Sequence, residues 1–411
     1  MSKVLVLATT DSHLGGQGWS MAELCKKRGH EVCFICLRKT MPETENYFFD
    51  ESNKRDLRRF FFLAYDKLFR TIMSPDPMYS FQSAGLSYIS ANRILKKCPY
   101  KPDVIFITWV ATFLTPKVVR GLYEKTHARM VMPMIDEALL GGLCHYHCDC
   151  DEFLRGCKKC PHVKRLQCLP RRTMNEKIKY WTDMPFHSMA SGYDTGTAKV
   201  TPFLRNGSFY TTETVADCSP VYSKREARKF FRVGEKDFVM FTGANSLGEK
   251  RKGMHILIEA CNMMAHKIDI NRKVTLLILG NGSDLVKEQI DNRINAVAVP
   301  FLPKEDFFKA YYACDIYVSP TLADSGPMMV NYAMACGRPS VAFPIGCAVD
   351  FINEDTGYIA EYGNAAQFCD GMLYFYSKSA VEMQEYTGSC QEKLNEFKDA
   401  WPNALKKVLG E

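Results

Sequence analysis

The segment 320–339, PTLADSGPMMVNYAMACGRP, sets an acid, Asp324, just ahead of a helix start at Ser325, Gly326 and Pro327. Free backbone N–H groups and the helix dipole attract an anion at such a start, and proline suits the first helical turn. A capped helix accounts for the same local pattern without any ligand. A second segment, 242–253, reads TGANSLGEKRKG and brings Lys250, Arg251 and Lys252 to a turn that ends in Gly253. Cations between a strand and a helix can pair with a diphosphate, and arginine offers it a two-pronged fork. Taken alone, KRK also reads as a solvated surface turn. Gly15-Gly16 after the first apolar run, and Gly280-Asn281-Gly282 after a later one, let backbone approach a phosphate closely. Most such pairs are simply turns.

Two further features carry chemistry of another kind. Six of the 17 cysteines fall between Cys144 and Cys168. Cys157-x-x-Cys160, with Cys144 and Cys150 upstream, can supply four thiolates in two groups to a structural zinc. Free thiols and disulfides are the alternatives, the latter at odds with a reducing compartment. The segment 54–70, KRDLRRFFFLAYDKLFR, interleaves basic and aromatic residues on an expected helix. That suits an anionic membrane interface; a core-facing helix with a basic exposed side reads the same way. No RNA-binding motif accompanies it.

The elements around these residues alternate. Apolar runs at 4–8, 32–37, 104–108 and 130–135 are read as buried strands, with a helix closing at Lys26-Lys27-Arg28-Gly29. The second half repeats the pattern. Strands are expected at 238–242, 274–279, 316–319 and 340–343, and helices at 254–264, 304–314 and 327–336. Strand–helix–strand units of this length make parallel sheets. The fold class is therefore α/β, with two tandem Rossmann-like doubly wound domains facing an interdomain cleft. Ligands of open α/β sheets bind outside the carboxyl ends of the strands. The boundary is placed near 196–206, in a stretch that reads as irregular. The domains are taken as 1–200, an acceptor domain with a Cys-rich insert at 144–168, and 201–380, a donor domain. A last helix within 381–411 is expected to cross back to the first domain.

The 320–343 segment resembles retaining glycosyltransferases of family 4, which have the GT-B fold. Their signature is an acidic loop, then FG or GP at a helix start, then Glu-Ala-Met-Ala-Cys-Gly-x-Pro. The resemblance covers about residues 3–380. It implies that Asp324 lies near the donor sugar, in a catalytic role, and that Tyr332 stands where a carboxylate holds the nucleotide ribose. Tyrosine cannot accept two hydroxyl hydrogen bonds as a carboxylate does. It also implies a donor diphosphate held by Lys252 with Arg251, and by Gly15, Gly16, Gly243, Gly280, Gly282, Ser325, Gly326 and Pro327. The cysteine frame is similar to a stretch in a polysaccharide-assembling branch of these enzymes. Its place after the strand at 130–135 puts it on the acceptor side. Asp136 and His145 are the candidates there. No catalytic metal is expected, so any zinc would be structural.

Composition sets the outer limits. Hydrophobic residues make up 46% and charged residues 24%, which excludes a disordered, collagenous or fibrous chain. No apolar run is long enough to span a membrane. The N-terminus reads as a strand and not a signal peptide. Residues 1–200 hold 30 basic against 20 acidic side chains, and a basic half suits an anionic partner. The function expected is a retaining hexosyltransferase moving a sugar from a nucleotide-diphosphate donor to a glycan or lipid-linked acceptor, in surface polysaccharide (capsular, exopolysaccharide or O-antigen) assembly. It would be cytoplasmic or peripheral at the inner membrane face, without a nucleic-acid partner. The rivals are another GT-B reaction, such as a nucleotide-sugar epimerase or phosphorylase, and a catalytically silent partner subunit.

Overall fold

The computed structural model of the chain describes residues 1–11, 18–39, 47–48, 60–61, 64–65, 67–68, 71–72, 89–108, 110, 113–213, 215–326 and 328–411. Gly15, Gly16 and Pro327 lie outside the described residues, as does most of 54–70. The chain folds as two compact units, residues 1–212 with 402–411, and residues 213–401.

The first unit is built on β1 (Lys3–Thr10), β2 (Glu31–Arg38), β3 (Tyr47–Phe48), β4 (Val104–Ile107), β5 (Arg129–Pro133), β6 (Phe186–Ala190) and β7 (Ser208–Thr211). Among the described residues these form one sheet in the order β3-β2-β1-β4-β5-β6-β7, with every pairing parallel. The second unit carries β8 (Phe238–Ser246), β9 (Val274–Asn281), β10 (Ile294–Val299), β11 (Ile316–Ser319), β12 (Ser340–Ala342) and β13 (Gly357–Ile359). Their order is β10-β9-β8-β11-β12-β13, again all parallel. Both sheets run outward from a first strand in both directions, the doubly wound arrangement expected from the sequence. The strands are continuous apolar runs because helices cover both faces. Leu5, Ile35, Ile105, Met130 and Phe186 are fully buried in one core, and Phe241, Leu277, Phe308, Tyr311 and Phe351 in the other.

Two sequence expectations change. The stretch read as irregular holds a helix, Gly192–Val200, capped by Ser191, whose hydroxyl accepts from the Asp194 amide. Its two glycines and lack of apolar periodicity hid it. The last helix is two helices, Ala380–Glu396 and Ala400–Leu409. The second packs in the first unit: Ser2 Oγ donates to the Leu409 carbonyl at 2.9 Å and Arg129 Nη1 to that of Val408 at 2.6 Å.

In each sheet the strand order reverses beside the first strand, between β1 and β4 and between β8 and β11. The crevice outside the carboxyl ends of such strands is where an open α/β sheet binds its ligand. In the second unit that point is formed by the loops after β8 and β11, which contain residues 247–253 and 320–326.

Candidate functional site

The two loops are stitched together by their backbones. Residues Lys250–Lys252 form a tight turn, and the Arg251 carbonyl accepts from the Leu322 amide at 2.7 Å. Gly253 closes the turn at φ +66°, and a Cβ there would lie 1.8 Å from the Pro320 carbonyl oxygen. Only glycine permits both the left-handed backbone and that approach.

The approach brings three charges into one cluster. Lys252 Nζ donates to Asp324 Oδ2 at 2.6 Å, and Arg251 Nη1 lies 3.4 Å from the same oxygen. Arg251 is held in turn by the Ala323 carbonyl at 3.2 Å and by Glu249 at 2.8 Å. Burial pushes the Asp324 carboxyl up, but Lys252 and Arg251 outweigh it and hold the group below the usual carboxylate range. The carboxylate therefore stays ionised against its two cations. Next to it, Ser325 is buried, and its Oγ finds no hydrogen-bond partner among the described residues. Buried hydroxyls are rarely left so. Ser325 and Gly326 lead into the helix Met328–Ala335. The cluster thus offers two cations, a hydroxyl and a carboxylate at the end of a parallel sheet, a set that can grip a phosphate ester and a sugar hydroxyl.

The glycines frame this site. Gly243, on β8, passes beneath Met329, and a Cβ would sit 3.1 Å from its Cε. Gly280 takes φ +123° because a Cβ would lie 1.8 Å from the Ala244 carbonyl. Gly282 starts the short helix Ser283–Lys287 at φ +91°. A cavity of about 320 Å³ opens between the loops after β8 and β9, lined by Gly248, Lys250, His255, Gly282 and Leu285. These glycines act through backbone approach.

Tyr332 is half-buried, and its ring packs edge-on to Phe308 and Phe307, with centroids 5.2 and 5.8 Å away. Tyr311 lies 6.2 Å off. The position expected to face a ribose belongs to an aromatic cluster.

In the first unit, the loop after β5 pairs acids with imidazoles. His145 Nδ1 and Asp136 Oδ2 are 2.5 Å apart, and Asp136 Oδ1 accepts from the Ala138 amide at 3.0 Å. The expected Asp136 and His145 are thus brought together, both buried. A second pair, missed in the sequence, lies beside them. Glu137 Oε2 accepts from the His147 amide at 2.7 Å and pairs with its Nδ1. The signal was present as Asp-Glu followed by His-x-His. Lys177 was also missed: it is buried on the helix Cys168–Trp181, and its Nζ donates to the carbonyls of Ala138, Leu139 and Gly141 at 2.7, 3.1 and 2.6 Å. Burial pushes its amine down to about 8.

Of the four cysteines expected to hold zinc, Cys144, Cys157 and Cys160 are buried and Cys150 is half-buried. Cys144, Cys150, Cys157 and Cys160 are free thiols. Among the described residues no three His, Cys, Asp or Glu side chains are placed to share a metal ion. Cys144 Sγ packs on Gly141 and Cys157 Sγ on Gly142, and burial raises both thiols, that of Cys157 to about 11.

Residues 236–378 match the family described as "Glycosyl transferases group 1". That span contains Arg251, Lys252, Asp324, Ser325 and Tyr332. No curated protein matches the chain in sequence. Solved structures match across its whole length. They include sucrose-phosphate synthase from Thermosynechococcus elongatus, with a TM-score of 0.62 at 15% identity, covering 99% of this chain and 97% of that one. A glycosyltransferase from Rickettsia africae has a TM-score of 0.63 at 16% identity, covering 99% and 98%. The Anabaena protein Alr3699/HepE, solved with UDP-glucose, has a TM-score of 0.58 at 14% identity, covering 100% and 99%. At these identities the likeness establishes the architecture, the two-sheet α/β fold of GT-B proteins.

Proposed function

We propose that the chain is a retaining glycosyltransferase that moves a hexose from a nucleotide-diphosphate donor to a glycan or lipid-linked acceptor in surface polysaccharide assembly. The observation that carries this is the Arg251–Lys252–Asp324 cluster at the carboxyl ends of β8 and β11, inside the matched span. Lys252 and Arg251 would hold the diphosphate and stabilise its charge as the bond to the sugar breaks. Charge stabilisation of this kind is the largest part of many enzymes' catalysis. The Ser325 hydroxyl and the Gly326 amide would add donors. Asp324 would accept from sugar hydroxyls and fix the sugar over the diphosphate. The acceptor oxygen would then attack on the face that the diphosphate leaves, which keeps the anomeric configuration. On the acceptor side, the Asp136–His145 and Glu137–His147 pairs would present imidazoles of fixed orientation to hydroxyls. The expected result is release of nucleoside diphosphate from a UDP-sugar only when a glycan acceptor is present. Release without acceptor, or none with any donor, would reject the reading.

A second reading has its own observation. Tyr332 is committed to an aromatic cluster, which removes a carboxylate from the ribose position. A catalytically silent partner subunit would show no binding of UDP, UDP-glucose or GDP by calorimetry.

Attachment to an anionic membrane is part of the proposal. Phe60, Phe61 and Leu68 are exposed, and Tyr65 lies within electrostatic reach of Arg172, on a helix whose Arg171, Arg172 and Lys179 line an open surface hollow. Among the described residues no helix is long and apolar enough to cross a membrane. Co-sedimentation with anionic vesicles should fall as salt rises, since charge attraction is screened over about 8 Å at physiological ionic strength. Equal sedimentation with neutral vesicles would count against it.

A further inference from the structure

Lys177 is 4% exposed, and burying a charge is costly unless it is paired or hydrogen-bonded. Its Nζ meets the carbonyls of Ala138, Leu139 and Gly141, which matches the three donors of an ammonium. We propose that Lys177 is a positioning residue for the acceptor side: it fixes the loop 136–147 and, with the loop, the orientation of His145 and His147. The link to an acceptor rests on the glycosyltransferase reading above, whereas the fixing of the loop stands apart from it.

The loop is built around that ammonium. It follows β5 and opens with Asp136 and Glu137. The Glu137 carbonyl accepts from the amides of Leu140 and Gly141 at 2.9 and 3.1 Å, and the Glu137 amide donates to the His145 carbonyl at 2.8 Å. The loop is thereby closed on itself, with both carboxylates at its start and both imidazoles at its end. Between them, three carbonyls converge on one nitrogen. Asp136 and Glu137 each hold an imidazole at Nδ1, and such a bond fixes the orientation of the ring. Each ring therefore follows the backbone at 136 and 137, and that backbone leads directly into the turn that Lys177 holds.

The lysine is mounted on a fixed support. The helix Cys168–Trp181 meets the loop a second time at Gly142, where a Cβ would lie 2.6 Å from the Pro170 carbonyl oxygen. Its far end is tied by Trp181, whose Nε1 donates to the Pro116 carbonyl at 3.1 Å. The Lys177 ammonium lies 5.7 Å from the centre of that indole. Nearby, Val110, Leu114, Val119, Leu143 and Trp181 line a cavity of about 30 Å³, room for about one water. A side chain without donors at 177 would leave three carbonyls converging on apolar surroundings. An unpaired buried acceptor costs its full desolvation. The turn would open to reach water and carry the imidazoles with it.

The test reads the imidazoles directly, by NMR of the full chain with isotope-labelled histidine rings. His145→Gln and His147→Gln assign the two signals by their loss. Lys177→Met keeps the length of the side chain and removes its donors. It should shift or broaden the His145 and His147 signals and leave those of His255 and His266, in the second unit, in place. Affinity for UDP-glucose should match the parent's, because Arg251 and Lys252 also lie in the second unit. Unchanged His145 and His147 signals would overturn the proposal. So would a folded variant whose His255 and His266 signals move as well, since that marks a structural residue of the whole chain. If Lys177→Met does not fold, amide exchange in the parent decides. The amides of Glu137, Gly141 and His147 should exchange as slowly as those of β5, and exchange at the rate of an open loop would overturn the proposal. A parent chain that does not bind UDP-glucose would reject the transfer reading and leave the imidazole signals to decide the positioning.

Discussion

Lys252 and Asp324 are already paired in the free protein, so a diphosphate must draw Lys252 away from a carboxylate 2.6 Å distant. Two substitutions separate the roles. Lys252→Ala should weaken UDP binding by about 1.5–3 kcal/mol, the usual worth of a charged hydrogen bond, read by calorimetry. Asp324→Asn should leave UDP affinity intact or strengthen it, because the cations lose their competitor, while turnover falls. Equal loss of both quantities would make Asp324 a structural residue. Tyr332 gives a prediction of opposite kind. Restoring a carboxylate with Tyr332→Glu would set a charge against Phe307 and Phe308. It should cost on the order of 2 kcal/mol of stability, while Tyr332→Phe stays near neutral. A Tyr332→Glu protein of unchanged melting temperature and higher UDP affinity would show an open ribose site instead. Arg251, Lys252 and Asp324 were legible because their loops have a recognisable frame. Lys177 was not: its acceptors lie 36 to 39 residues upstream and are backbone carbonyls, which leave no mark on residue type.

The elements were legible where apolar runs are long and buried on both faces, as in β1, β2, β8 and β9. They were lost where helices lean on polar residues. Gly192–Val200 is one such helix, and Lys224–Phe230 is another, a short basic helix held by a Ser223–Glu226 capping box. In the cysteine insert, spacing alone did not reveal that Cys144 packs on Gly141 and Cys157 on Gly142. The joint between loops gives the sharpest prediction at this scale. Gly253→Ala forces an L side chain to φ +66°, costing about 1–2 kcal/mol by itself, and drives a Cβ into the Pro320 carbonyl. The loop must shift, so both the melting temperature and UDP binding should fall. At Gly248, where an added Cβ meets nothing within 4 Å, the alanine variant should change the melting temperature little. If Gly253→Ala behaved like Gly248→Ala, the two loops would not be locked as described.

At the scale of the whole chain, the last residues return to the first unit and are secured there by charge. Arg28 Nε donates to Glu411 Oε1 at 3.0 Å, its Nη2 reaches Oε2, and His30 Nε2 lies 2.6 Å from Oε1. The helix Ala400–Leu409 buries Leu405, Val408 and Leu409 beneath this clasp. Arg28 and His30 hold the Glu411 carboxyl down to about 2, against an ordinary value of 4.5. A carboxyl lowered on folding adds stability above its unfolded value, and that stability is lost as protons fill the folded site. The contribution is therefore whole above about pH 4.5 and gone near pH 2. The site is largely open to water, where ion pairs are worth about 1 kcal/mol or less. Glu411→Gln should thus lower the melting temperature at pH 7 by a few degrees at most, and the gap to the parent chain should close as pH falls from 4.5 to 2. Arg28→Ala should produce the same convergence, since both act through one carboxylate. A gap that stays constant across that range would mean that apolar packing of the helix, and not the clasp, returns the chain to its first unit.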